Sequence, residues 1–200
     1  MFRRILRAVV AVMAVASAAA CSCTCNDTAP APAPAPAPGP VVIPSMYRTI
    51  LDRHNDYRAK HRAPDLEWSH RVAYSADKWS RECMFEHEAQ TEYGENLYAV
   101  WGVSNMTKAL TQAIDAWYGE AADYNYEKPK FSAKTGHFTA VVWKSTKRLG
   151  CSVRKCGPMT IVVCRYDPPG NVEDQFKANV LPPNYSSSPQ SPPKSGRTGR

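Results

Sequence analysis

Residues 159–166 read Met-Thr-Ile-Val-Val-Cys-Arg-Tyr, a continuous run rich in β-branched residues. Such a run is typical of a central strand that is buried on both faces. Two other segments with strand character precede it, at residues 96–101 and 149–154. Together the three segments predict a small β-sheet.

Three amphipathic helices are predicted around this sheet. Apolar and aromatic residues recur at helical spacing within 45–62, with Ser45 as the expected N-cap and Pro64 as the stop. The same spacing is found at residues 72–83 and 106–117. Residues 138–143 are ambiguous between a strand and a short buried helix. The elements follow no βαβ rhythm, so we expect an α+β fold with helices stacked on a small sheet.

The two ends of the chain predict an exported protein. Arg3, Arg4 and Arg7 precede an apolar stretch ending in small residues, so residues 1–20 are interpreted as a signal peptide cleaved after Ala18 or Ala20. The alternative is a bacterial lipobox that would lipidate Cys21, although its first position is Ala18 rather than leucine. Residues 21–44 are expected to form a cysteine-rich start and an extended Ala-Pro stalk, and 184–200 a disordered Ser/Pro-rich tail.

The net charge of +7 comes from these ends rather than from the folded body. Six positive charges lie within 1–7 and 194–200, and Asp27 offsets one, so residues 41–183 carry only +2. No Lys/Arg run with interleaved aromatic residues is present in that body. We therefore expect no nucleic-acid partner.

Seven cysteines in an exported chain indicate disulfides. Four of them lie in the body, and four cysteines allow three pairings, among which the sequence alone does not choose. The four are Cys83, Cys151, Cys156 and Cys164.

Two of the five histidines are candidates for a functional site. His87 and His137 lie in polar segments beside apolar runs, where functional groups concentrate. His54, His61 and His70 are interpreted as surface or capping residues. Spacing alone predicts no metal motif, because neither His-Glu-x-x-His nor Glu-x-x-His occurs. No serine, threonine or cysteine stands beside a base in a pattern typical of a nucleophile, so the sequence does not predict an enzyme.

Four segments resemble the recurrent motifs of the CAP superfamily, which comprises cysteine-rich secretory proteins, insect venom antigen 5 and plant pathogenesis-related class 1 proteins. They occur in the family's order: YGENLYA (93–99), WYGEAADYNY (117–126), GHFTAVVWKST (136–146) and IVVCRYDPPGNV (161–172). The resemblance covers residues 45–183. It implies a three-layer α-β-α sandwich with a small antiparallel sheet, a short helix at 137–143, and disulfides Cys83–Cys156 and Cys151–Cys164.

The same resemblance implies a central cavity that displays two histidines and two glutamates. These are carried onto His87, Glu95, Glu120 and His137. In several relatives the two histidines bind a divalent cation, so zinc or magnesium is the expected cofactor, with His87 and His137 as ligands. Two carboxylates and two neutral imidazoles would give the cavity a net negative charge, which a dication neutralises.

The resemblance also implies a ligand. Fungal relatives bind sterols, and some also bind fatty acids. Their sterol site involves an aromatic loop that corresponds here to residues 124–131, with Tyr124, Tyr126, Pro129 and Phe131 as the candidate contacts. A secreted sterol- or lipid-binding protein is therefore expected, with peripheral membrane contact. The alternatives are an effector or defence protein that acts through an unknown protein partner, and a metal-dependent hydrolase.

Overall fold

The computed structural model describes residues 42–184. The predicted signal peptide, Cys21, the Ala-Pro repeat and the tail from residue 185 lie outside the described residues, so the interpretations placed on them remain predictions. None of the helices within 42–184 is long and apolar enough to cross a membrane.

The three predicted amphipathic helices are confirmed. They are α1 (Ser45–Lys60), α2 (His70–Ser80) and α3 (Met106–Gly119). The side chain of Ser69 caps α2 by accepting from the Val72 amide, and Asn105 caps α3 by accepting from Lys108. Ser45 is not a cap, since α1 begins at Ser45 itself and Pro44 precedes it.

Four strands form one mixed sheet in the order β1-β3-β4-β2. They are β1 (Glu67–Trp68), β2 (Gly94–Trp101), β3 (Arg148–Cys156) and β4 (Met159–Asp167). The predicted central strand is confirmed, because β4 pairs antiparallel with both β2 and β3. The sequence did not reveal β1, whose two residues pair parallel with β3.

Helices cover both faces of the sheet, which confirms the three-layer α-β-α sandwich. Successive β4 residues alternate between two apolar clusters, since Ile161 and Val163 pack with Ala76 of α2. Val162 and Cys164 instead join the larger cluster, which includes buried residues of α1, α3 and α4. The α4 helix (Gly136–Val142) settles the ambiguous segment as the short helix that the resemblance implies. A last helix, α5 (Phe176–Asn179), follows the sheet.

Two disulfides brace the sheet with the pairing that the resemblance implies. Cys83–Cys156 joins the segment after α2 to the end of β3, across 73 residues of sequence. Cys151–Cys164 joins directly paired positions of β3 and β4. Bonds of this kind typically contribute about 2–4 kcal/mol each.

Two of the three histidines interpreted as surface or capping residues are buried. His54 donates through Nδ1 to the Ile50 carbonyl at 2.8 Å and accepts through Nε2 from the Tyr166 hydroxyl at 3.0 Å. Burial lowers the pKa of His54 to about 3, so this imidazole stays neutral inside the fold. His61 follows α1 as its C-cap but is also buried, and only His70 is exposed. The prediction of a surface or capping residue is therefore wrong for His54, whereas His61 is buried but is the C-cap of α1.

Candidate functional site

The structure pairs each candidate histidine with one of the candidate glutamates. His87 Nδ1 lies 2.9 Å from Glu95 Oε1, and His137 Nδ1 lies 2.7 Å from Glu120 Oε1. Because a carboxylate can only accept, both imidazoles donate through Nδ1. The four residues therefore form two His–Glu pairs, each built by different elements.

The first pair stands at the start of β2. Glu95 is the second residue of that strand and its side chain is buried, whereas the side chain of His87 is exposed. Glu95 Oε1 also accepts from the Glu88 amide, so the loop that carries His87 is held against the strand. The hydrogen bond to Glu95 raises the pKa of His87.

Arg165 holds the other oxygen of Glu95. It occupies the β4 position paired with Glu95, and its Nε and Nη2 donate to Glu95 Oε2 at 3.2 and 2.9 Å. The guanidinium also donates to Ser75 of α2 and to Glu88, and its side chain is only 2% exposed. Sequence reasoning missed Arg165, although a charged residue inside a buried β-branched strand signals an ion pair, because an unpaired buried charge is costly.

The second pair joins the end of α3 to the start of α4. Glu120 begins a 3-10 turn, Glu120–Asp123, directly after α3. Its Oε2 accepts from the amides of His137 and Phe138 at 3.0 and 3.1 Å, while Oε1 accepts from the His137 ring. The carboxylate thereby caps α4, whose preceding residue Thr135 provides no side-chain cap.

Asn96 connects the second pair to the core. Its Nδ2 donates to the His137 carbonyl at 3.0 Å and to the Tyr166 hydroxyl at 3.1 Å. The ring of Trp117 stacks on His137 with centroids 6.3 Å apart. The position of His137 is therefore fixed by β2, α3 and Glu120 together.

Among residues 42–184, the two His–Glu pairs have one feature that is common in metal sites, but no complete set of metal ligands is found. Each imidazole donates through Nδ1 to a carboxylate, an arrangement typical of metal-ligating histidines, and keeps Nε2 for a cation. No group of three or more His, Cys, Asp or Glu side chains in the described part of the chain is arranged to hold a metal ion. Arg165 also balances Glu95, so the attraction for a dication is weaker than the sequence suggests.

The aromatic loop divides into buried and exposed parts. Tyr124 is a core residue whose ring contacts Phe138 at 5.5 Å and Tyr126 at 4.9 Å between centroids. Pro129 is half-buried, and Phe131 is 51% exposed. The Phe131 ring lies over Gly136, where an added Cβ would come within 3.1 Å of it.

Tyr126 borders a cavity of about 550 Å³ between the end of α3 and the segment after α5. Three lining residues carry polar side-chain atoms, His61, Tyr118 and Tyr126. The Tyr118 hydroxyl lies 3.0 Å from His61 Nε2, and His61 Nδ1 donates to the Leu181 carbonyl. Sequence reasoning missed Tyr118, His61 and the prolines as lining residues. The lining comprises His61, Tyr118, Gly119, Ala121, Ala122, Tyr126, Pro182 and Pro183.

Known proteins share both the sequence and the fold. The model of the cysteine-rich secretory protein family (CAP) matches residues 51–166. The human Golgi-associated plant pathogenesis-related protein 1 is 35% identical over 147 residues, which span 68% of this chain and 93% of the relative. Protein PRY2 of Saccharomyces cerevisiae is 37% identical over 141 residues, which span 67% of this chain but only 40% of the relative.

A crystal structure of NaASP2 with Zn²⁺ superposes with a TM-score of 0.59 at 27% identity, covering 69% of this chain and 85% of that protein. Na-ASP-1 superposes with a TM-score of 0.60 at 24% identity, covering 69% and 42%. The family match includes β2, α4 and nearly all of β4, the elements that carry Glu95, His137 and Arg165. By the family match in sequence and the likeness in fold, the chain belongs to the cysteine-rich secretory protein family.

Proposed function

We propose that this protein is an extracellular carrier that binds a sterol or a related lipid in the cavity beside Tyr126. The observation that carries the proposal is the cavity itself, whose volume of about 550 Å³ falls within the range of ordinary small-molecule sites. Its lining consists mainly of aromatic rings, alanines and prolines. Such a lining suits a rigid apolar ligand with few polar groups.

The polar groups of the cavity suit an uncharged ligand. Burial lowers the pKa of His61, which favours the neutral imidazole at pH 7, and this imidazole hydrogen-bonds to the Tyr118 hydroxyl. A sterol carries a single hydroxyl, which can hydrogen-bond to a neutral pair of this kind. A fatty acid would bring a carboxylate that the lining side chains do not neutralise, so we expect sterols to bind more tightly than fatty acids.

The experiment is equilibrium binding of labelled cholesterol or ergosterol to wild-type protein and to the Tyr126→Ala/Phe131→Ala variant. We expect the double variant to bind at least about tenfold more weakly, since two aromatic faces are lost. Tyr74→Ala removes an exposed aromatic ring of α2, away from the loop and the cavity, and should leave the affinity unchanged. If the double variant bound sterol as tightly as wild type, neither the loop nor the cavity would be the sterol site.

Secretion is supported by two disulfides and by likeness to known proteins. Disulfides persist in oxidising compartments outside the cytoplasm. The secreted protein RBT4 of Candida albicans is 42% identical over 134 residues, which span 62% of this chain and 35% of the relative. Mass spectrometry of the mature amino terminus would distinguish a released protein from one lipidated at Cys21.

A divalent cation held by His87 and His137 is a second candidate ligand, favoured by the two His–Glu pairs and by the Zn²⁺ in the NaASP2 structure. After dialysis against zinc, we expect His87→Ala/His137→Ala to contain less metal than wild type, and His70→Ala to contain as much. Zinc binding should weaken as the pH falls towards 6, because the raised pKa of His87 lets protons compete earlier. Equal zinc in wild type and the double variant would refute this site.

A further inference from the structure

The segment that follows α5 builds part of the wall of the cavity beside Tyr126. Residues 181–184 read Leu-Pro-Pro-Asn, and we call them the strap. Pro182 and Pro183 of the strap line the cavity. Apart from His61 and Tyr126, the other lining residues belong to the end of α3 and to the 3-10 turn after it. The strap and α3 therefore supply separate parts of the wall.

The chain is firmly held up to the residue before the strap. The side chain of Asn179 accepts from the Ser145 amide at 2.9 Å, and the Val180 amide donates to the Phe176 carbonyl at 2.8 Å. Both Asn179 and Val180 are buried, whereas every residue of the strap is exposed or half-buried. Burial therefore ends where the strap begins.

Three hydrogen bonds fasten the strap to residues 60–62 at the end of α1, and we call them the latch. They run from His61 Nδ1 to the Leu181 carbonyl (2.7 Å), from Arg62 Nη2 to the Pro182 carbonyl (3.3 Å), and from the Asn184 amide to the Lys60 carbonyl (2.7 Å). Proline has no amide hydrogen, so the two central strap residues cannot donate further backbone bonds. Hydrogen bonds that water can replace contribute little net free energy, so the latch can be broken at a low cost.

His61 belongs both to the latch and to the cavity. While Nδ1 donates to the strap, Nε2 lies 3.0 Å from the Tyr118 hydroxyl of α3, and both rings line the cavity. This one imidazole therefore spans from the strap to α3. When the latch breaks, the two prolines are free to move away from α3, and the cavity opens on that side.

We propose that the strap is a gate, which opens by breaking the latch, lets a ligand enter or leave past Pro182 and Pro183, and closes again over the bound molecule. The inference rests on the proposed function only in that the cavity holds an apolar ligand. Segments with few buried contacts and solvent-exposed hydrogen bonds are those that open locally in folded proteins. Such loops often set the rate at which ligands exchange. The latch then determines how fast a ligand exchanges, whereas the lining determines which ligand binds.

The test is stopped-flow exchange of N-phenyl-1-naphthylamine, an uncharged apolar probe whose fluorescence rises when it leaves water. Exchange is compared between Asn184→Pro and Asn184→Ala. Both variants lose the same exposed side chain, but only the proline variant loses the amide of the latch, and neither changes a lining residue. Chemical shifts of the Gly119 and Ala121 amides report whether the probe occupies this cavity.

We expect the association and dissociation rate constants of the probe to be about fivefold higher for Asn184→Pro, with an equal dissociation constant. Loss of one hydrogen bond should raise the open population equally in the free and the bound protein. Equal rates in the two variants would overturn the proposal. Faster dissociation alone would also overturn it, because the strap would then be a fixed wall, and so would a probe that leaves the Gly119 and Ala121 shifts unchanged.

Amide hydrogen exchange of the wild-type chain without ligand gives a second measurement. The Asn184 amide should exchange faster than the Val180 amide, and more slowly once the probe is bound, because the bound probe keeps the strap closed. Equal protection of the two amides would show that the strap does not open. Since neither experiment uses a sterol, a chain that exchanges the probe as expected but binds no sterol would refute the sterol proposal and leave the gate standing.

Discussion

Replacing Gly150 by alanine should lower the free energy of unfolding by about 3 kcal/mol, since overpacking against backbone is among the costlier core changes. A Cβ at Gly150 would lie 2.0 Å from the Ala73 amide nitrogen and 2.5 Å from the Val72 carbonyl carbon, both in the backbone of α2. The helix cannot yield as a flexible side chain does, so α2 has to move away from β3. That movement would also pull Ser75 from Arg165 and loosen the support of Glu95.

The matched control is Gly119→Ala at the end of α3. A Cβ there meets nothing within 4 Å. Alanine is the better helix former, so Gly119→Ala should leave stability unchanged or raise it by up to about 1 kcal/mol. Urea unfolding with the disulfides intact measures both variants. Equal stability of Gly150→Ala and wild type would contradict the close packing of α2 on β3.

Replacing Glu120 by alanine should lower the free energy of unfolding by about 2–3 kcal/mol, because it leaves two amides and one imidazole N–H without their acceptor. The amides belong to His137 and Phe138 in the first turn of α4. Glu120→Gln keeps one carbonyl oxygen as an acceptor and should lose about half as much.

The control for Glu120 is Glu127→Ala, an exposed carboxylate in the following loop. It should change stability by less than about 0.5 kcal/mol. The chemical shifts of the His137 ring should change in Glu120→Ala and not in Glu127→Ala. A Glu120→Ala protein as stable as wild type would show that α4 does not need this cap.

The periodic parts of the fold could be predicted from the sequence, and the buried polar parts could not. Helices α1, α2 and α3 show clear amphipathic spacing, and β4 is continuously apolar. Residues 138–143 lack a polar face because α4 is buried on all sides from Phe138 onward. The sequence does not show that His54 is buried, because its partner Tyr166 lies 112 residues away. From the sequence, His54 is therefore interpreted as a surface or capping residue.

The candidate site, like the fold, could be predicted from the sequence only in part. His87, Glu95, Glu120 and His137 followed from the resemblance rather than from spacing, because each pair joins two elements through tertiary contact. Arg165 and Asn96 escaped notice for the same reason. The cavity beside Tyr126 depends on Pro182 and Pro183 returning to the end of α3, which no local pattern shows.

Titration of the purified wild-type chain with labelled sterol measures whether the fold holds a sterol or a related lipid. We expect saturable binding of one sterol by a single cavity, displaced by unlabelled sterol and much less by a fatty acid. Sterol uptake that never saturates, or no uptake by a protein whose circular dichroism shows it folded, would show that the cavity is not a sterol site.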